Sequence, residues 1–122
     1  MIKGIGNDII AIERIQSSID HHGQHFLDRV FTPAEQAYCL KYKDSARHFA
    51  GRFSAKEAVV KALGKGFREG IGWQDIEILN DPLGKPYLRL SPKIDSLFLQ
   101  PRILISISHC HSYATAFAIW EA

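Results

Sequence analysis

The chain has little of what marks several protein classes. Cysteine occurs only at Cys39 and Cys110, with no C-x-x-C pair and no disulfide-like spacing, so a reducing cytosol is the expected compartment. No run approaches about 18 apolar residues, which excludes a membrane-spanning helix. The apolar start is broken before Asp8 and offers no small-residue cleavage site, so it does not read as a signal peptide. Net charge is small as well. The 15 Lys and Arg exceed the 13 Asp and Glu by only +2, too little to argue for nucleic acid but suited to an acidic partner or a phosphorylated ligand. Internal repeats and low-complexity linkers are absent.

What is present is an ordinary globular composition, 46% hydrophobic and 23% charged. A chain of 122 residues buries roughly two-thirds of its unfolded surface, so residues 1–122 are expected to form one domain. Ile2 to Ile10 reads as an Ile-rich strand interrupted by Gly4 and Gly6, followed by a helix over Ala11 to Ile19. His21-His22-Gly23 breaks the pattern before a short helix at Gln24 to Val30. Thr32-Pro33-Ala34-Glu35 has the form of a capping box, opening a helix to about Tyr42. A long helix from Ala46 to Gly64 comes next. The period then changes to strands at Gln74–Leu79 and Pro86–Leu90, a Ser91-capped helix to Leu99, and a hairpin. The hairpin pairs Ile103–Ser108 with Tyr113–Trp120. Early helices and late strands predict an α+β fold, a small antiparallel sheet packed against the long helix and several short ones, joined by the first strand from a distance.

Within this frame Glu57 is out of place. At about 100° per residue the apolar stripe of the long helix runs through Ala46, Phe49, Ala50, Phe53, Val60 and Leu63, and Glu57 falls inside it. An unpaired buried carboxylate is costly, so a Lys or Arg partner or a bound cation should meet it. Lys61, one turn on, makes an i,i+4 pair. Alternatively, Asp8 and Glu57 together suit a Mg²⁺ completed by waters and a diphosphate, with Lys61 facing the phosphate. Asp8 shares a strand face with Gly4 and Gly6. The bare glycines admit either a packed helix, with Asp8 capping the helix that follows, or a ligand.

Other candidates carry less. The loop Gly64-Lys65-Gly66-Phe67-Arg68-Glu69-Gly70 follows a helix C-terminus, where the macrodipole disfavours anions, so a C-cap is the favoured reading. Any phosphate there would depend on Lys65 or Arg68. Ser108 and His109 are strand neighbours pointing to opposite faces, which argues against a nucleophile–base pair. His109 can still donate to a ligand phosphate at the entrance of the turn. His21, His22 and His25 have no cysteine nearby and read as a solvated loop.

Four segments resemble the 4′-phosphopantetheinyl transferases, of the small bacterial type. They are Gly4-Ile5-Gly6-Asn7-Asp8-Ile9, the block from Gly51-Arg52-Phe53-Ser54-Ala55-Lys56-Glu57 to Lys61-Ala62-Leu63-Gly64, Gly84-Lys85-Pro86, and Ser106-Ile107-Ser108-His109. The resemblance spans essentially the whole chain, and its second block is the most specific. It implies transfer of 4′-phosphopantetheine from coenzyme A to a serine of apo acyl carrier protein, releasing adenosine 3′,5′-bisphosphate and supporting fatty acid biosynthesis. Asp8 and Glu57 match the family's magnesium ligands, and Lys61 matches its basic residue at the reacting phosphate. Arg52, Gly64, Lys85, Pro86 and His109 match positions lining the coenzyme site. Arg14, with Phe26 and Arg29, matches the surface that docks the acidic carrier. The resemblance further implies a homotrimer with active sites between subunits. Either Glu57 or a water held by the metal takes the serine's proton. A rival of another class is a non-catalytic α+β module binding a nucleotide or an acidic helix, which predicts Glu57 paired with Lys61 or an arginine. A third reading keeps the chemistry and replaces the fatty-acid carrier by carriers of peptide or polyketide synthases.

Overall fold

The computed structural model describes residues 1–67 and 70–122. Strand β1 (Ile2–Ala11) leads into α1 (Ile12–His22), α2 (Gln24–Val30), α3 (Pro33–Leu40) and the long α4 (Ser45–Leu63). A 3₁₀ turn at Trp73–Asp75 opens β2 (Ile76–Asn80) and β3 (Pro86–Leu90), and α5 (Pro92–Phe98) precedes the hairpin of β4 (Arg102–His109) and β5 (Tyr113–Glu121).

Local chemistry explains most of the boundaries. The Thr32 hydroxyl accepts from the Glu35 N–H while the Glu35 carboxylate accepts from the Thr32 N–H, completing the expected capping box of α3. Ser91 caps α5 by accepting from the Ile94 N–H, and Gly64 ends α4 in the left-handed conformation, as the C-cap reading required. Several boundaries shift by one to three residues, Gln74 falling in the 3₁₀ turn and not in β2, and the largest difference is at the histidines. α1 continues through His21 and His22 to Gly23, and His25 lies in α2. His21 Nδ1 lies 2.7 Å from the Ser17 carbonyl oxygen. Side chains that donate to the last turn complement the helix dipole, so these histidines sit on helix and not in a polar break. Asp8 caps nothing, since Ala11 precedes α1 without a side-chain cap.

The strands are all antiparallel and divide into a three-stranded sheet, order β1-β5-β4, and a separate β2-β3 ribbon. β1 does join from a distance, pairing Gly6 with Ala118 and Asp8 with Ala116. The two faces of the larger sheet are unequal in an unexpected sense. The inner face carries Gly4, Gly6, Ala114, Ala116 and Ala118, small residues that let α4 lie close. Ile103, Ile105 and Ile107 of β4 still pack inward, but several large side chains of β1 and β5 point outward: Ile5 is 67% exposed, Ile9 66% and Phe117 52%.

α4 is the hub. Packed by the sheet, by α1 and α3 and by β2, it is buried on nearly every side, so the expected single stripe is not what the fold uses. Val59, Leu63, Ile76, Ile78 and Ile94 form one apolar cluster, and Ile10, Ile15, Val30, Phe31 and Phe49 a second. Lys56, between them, is fully buried, with Nζ 2.7 Å from Glu35 and donating to the Val30 and Trp73 carbonyls. Glu57 is only half-buried. The carboxylate inside the dry core is Glu35, and its cation is Lys56.

Candidate active site

The glycines of β1 determine what can reach Asp8. A Cβ on Gly4 would lie 2.0 Å from the Ala62 carbonyl oxygen, and one on Gly6 2.0 Å from that of Ala58. The space they leave is therefore filled by the backbone of α4, and the packed-helix reading is the correct one. That approach delivers Asp8 to the helix. Lys61 Nζ donates to Asp8 Oδ1 at 3.1 Å and to the Asn7 carbonyl at 3.0 Å. Lys61 thus pairs with Asp8 and not with Glu57. No described residue gives Glu57 a hydrogen bond or ion pair. Burial first, and the charge of Asp8 second, raise its carboxyl above the usual glutamate range, with Lys61 pulling the other way. Among the described residues that these interactions join, two carboxylates and one ammonium share the β1–α4 seam.

Arg52 heads a second group. It is 4% exposed, its guanidinium lies 4.0 Å over the Tyr38 ring, and it donates to Asn80 Oδ1. Its buried Nε has no acceptor, a defect that proteins rarely leave unexplained. Arg52 lines a half-open cavity of about 170 Å³ together with Tyr38, Arg47, His48, Gly84, Pro86 and His109. Three of the residues matched to the coenzyme site, Arg52, Pro86 and His109, therefore meet in one cationic pocket that has no carboxylate among its described lining residues.

The two groups do not meet within one chain. Five helical residues place Arg52 and Glu57 about 140° apart around α4 and about 7.5 Å apart along it, and neither Asp8, Glu57 nor Lys61 lines the Arg52 pocket. Lys85 sits in the β2–β3 turn, where its N–H donates to Asp81, and Gly64 is the α4 cap. Arg14 and Arg29 are exposed on α1 and α2, while Phe26 is half-buried against Phe31. Arg68 lies outside the described residues. Tyr38, Arg47, His48 and Asn80 were missed at the sequence level. The nearest signal was the spacing of Arg47 and His48 to Arg52, which puts a basic cluster on the first turns of α4.

A seam of carboxylates and lysine beside a separate cationic pocket is equipment for handling phosphate esters. The chain belongs to the 4′-phosphopantetheinyl transferase superfamily, whose family model matches residues 4–118. It is 65% identical over 122 residues to the holo-[acyl-carrier-protein] synthase of Protochlamydia amoebophila, covering 100% of both chains. Its fold superposes on the holo-[acyl-carrier-protein] synthase of Neisseria meningitidis with TM-score 0.91 at 34% identity, covering 100% of each chain. The Helicobacter pylori synthase, solved in complex with coenzyme A, matches with TM-score 0.88 at 33% identity, covering 96% of this chain and 99% of that one.

Proposed function

We propose that the chain is a cytoplasmic, magnesium-dependent holo-[acyl-carrier-protein] synthase. It moves 4′-phosphopantetheine from coenzyme A to a serine of apo acyl carrier protein and so supports fatty acid biosynthesis. The observation that carries this reading is the seam of Asp8, Glu57 and Lys61, held by the close approach of α4 to β1.

The donor set fits Mg²⁺. Both carboxylates offer oxygen, and Glu57, raised by burial and then by the charge of Asp8, is a carboxylate that a bound cation would hold ionised. When bound, the ion would neutralise the coenzyme diphosphate and orient it. The chain's own groups supply the rest. Lys61, half-exposed, is free to pass from Asp8 to the reacting phosphoryl oxygens as their charge develops. Glu57, whose carboxyl burial raises above the usual glutamate range, is suited to accept the serine proton as the oxygen attacks phosphorus. Arg52 and His109 would hold the departing bisphosphate end, and Gly64, Lys85 and Pro86 would line the remainder. Arg14, Phe26 and Arg29 would dock the acidic carrier on α1 and α2.

Residues 1–122 act in this reading as one transferase domain in a homotrimer. The separation of Arg52 from Glu57 supports completion of each site by a neighbouring subunit. So does the apolar outer face of the sheet, a patch that a lone subunit would leave in water.

Intact-mass measurement of an apo carrier after incubation with the protein, coenzyme A and Mg²⁺ tests the reading. A gain of one phosphopantetheine is expected. No gain with any apo carrier, from fatty-acid, peptide or polyketide systems, would sink it.

A further inference from the structure

His48 lines the Arg52 pocket, yet the coenzyme reading gives it no task. Its ring stacks on Tyr42 with centroids 3.7 Å apart and an interplanar angle of 19°, and meets His109 edge-on at 5.7 Å. The stack continues through the Tyr42 hydroxyl, which donates to that of Tyr38 at 3.3 Å, to the guanidinium of Arg52 above the Tyr38 ring. The imidazole is thus held in place as one wall of the cavity. The charged groups that face it are Arg47 and Arg52 from its own helix, His109 from β4, and Asp44 at the start of α4, 3.9 Å from Nε2. From the α3 side it meets only the neutral Tyr38 and Tyr42 rings. Two features point to an anionic occupant: the buried Arg52 Nε without an acceptor, and a lining with no carboxylate among the described residues.

We propose that His48 is a further coenzyme-binding residue, which takes up a proton when a phosphate group of the coenzyme enters this pocket. The proposal rests on the coenzyme site argued above. In the free protein, burial above all, then His109, Arg52 and Arg47, hold His48 below the ordinary histidine range, against the pull of Asp44. A phosphate within hydrogen-bond reach reverses that balance, because it stabilises the imidazolium by a charge-assisted bond. The sign follows from linkage. A group whose bound-state pKa lies above its free-state value favours binding fully below the free value, and the gain is lost as pH rises through the bound value. Coenzyme affinity should therefore fall as pH rises from below the ordinary histidine range through the bound-state value.

Histidine ring resonances of the wild-type protein, titrated with and without coenzyme A, test this directly. The His48 midpoint is expected to rise by about one pH unit on binding. Calorimetry in two buffers of different ionisation enthalpy should show proton uptake by the wild type that is largely lost in His48→Phe, which keeps the stack on Tyr42. The affinity ratio between the two pH limits should shrink in that variant by about tenfold. A wild-type His48 midpoint that coenzyme A leaves unmoved overturns the proposal even if the variant fails to fold, and so does equal proton uptake by both proteins. Absence of any coenzyme A binding by the wild type would instead overturn the coenzyme reading itself, and this proposal with it.

Discussion

Glu57 weakens the fold it belongs to. Its carboxyl is raised by burial and by Asp8, so the unfolded chain releases that proton at lower pH than the folded one. The fold therefore loses stability as pH rises from the ordinary glutamate value through the raised one, and the cost is absent below the ordinary value. Glu57→Gln removes the charge and keeps the shape. It is expected to abolish carrier modification while melting about 1–4 °C above the wild type at neutral pH without metal. The gain should vanish below about pH 4. Scanning calorimetry at the two pH values checks this. With Mg²⁺ and coenzyme A present the order should invert, because a ligand that binds only the folded site stabilises by mass action. Unchanged transferase activity in the variant would reject the metal and proton roles together.

The seam between β1 and α4 sets how closely the site's parts approach. A methyl on Gly6 would enter the space of the Ala58 carbonyl, so Gly6→Ala must push the elements apart. It is expected to cost about 1–3 kcal/mol in chemical denaturation and to lower activity as Asp8 leaves Glu57. The buried pair works between other elements: Lys56 ties α4 to the end of α2 and to the Trp73 turn, while Glu35 ties α3 to β2 through the Ile78 N–H. Burial pushes the Lys56 ammonium below the ordinary lysine range, with Glu35 opposing. Lys56→Met strands the Glu35 charge and should cost about 3–5 kcal/mol, whereas adding Glu35→Leu should recover part of the loss; urea midpoints of both variants decide.

The sequence made some of this legible and hid the rest for physical reasons. Caps and turns are local, so the capping box of Thr32 and the Gly64 stop could be read directly. The helical period singled out Glu57, although the fold leaves it half-buried and puts Glu35 in the core, and the two-residue period put Asp8 with the glycines. Which carboxylate meets which lysine depends on how close α4 lies to β1, and that is a property of two distant segments. Glu35 and Lys56, 21 positions apart, carried no local signal of pairing.

Ile5, Ile9 and Phe117 of the three-stranded sheet point away from the core, an apolar face that the proposed assembly would cover. Alternation alone could not tell which face of β5 was inner. The alanines are inside because α4 sits too close for anything larger, which leaves Phe117, Ile5 and Ile9 in water. If those side chains bury between subunits, Phe117→Glu should yield a monomer in native mass measurement, with helix content retained and activity lost. Cross-complementation is the sharper experiment. Glu57→Gln and Arg52→Ala are each expected to be inactive, because each spoils one of the two groups in every subunit. If the chain forms the proposed trimer, the two variants unfolded together and refolded as mixed assemblies would contain sites that join the intact Glu57 seam of one chain to the intact Arg52 pocket of another. Random mixing in equal amounts puts such a pair at roughly a quarter of the interfaces, and activity should return to about that fraction. Sites contained within single chains would give no recovery at any mixing ratio.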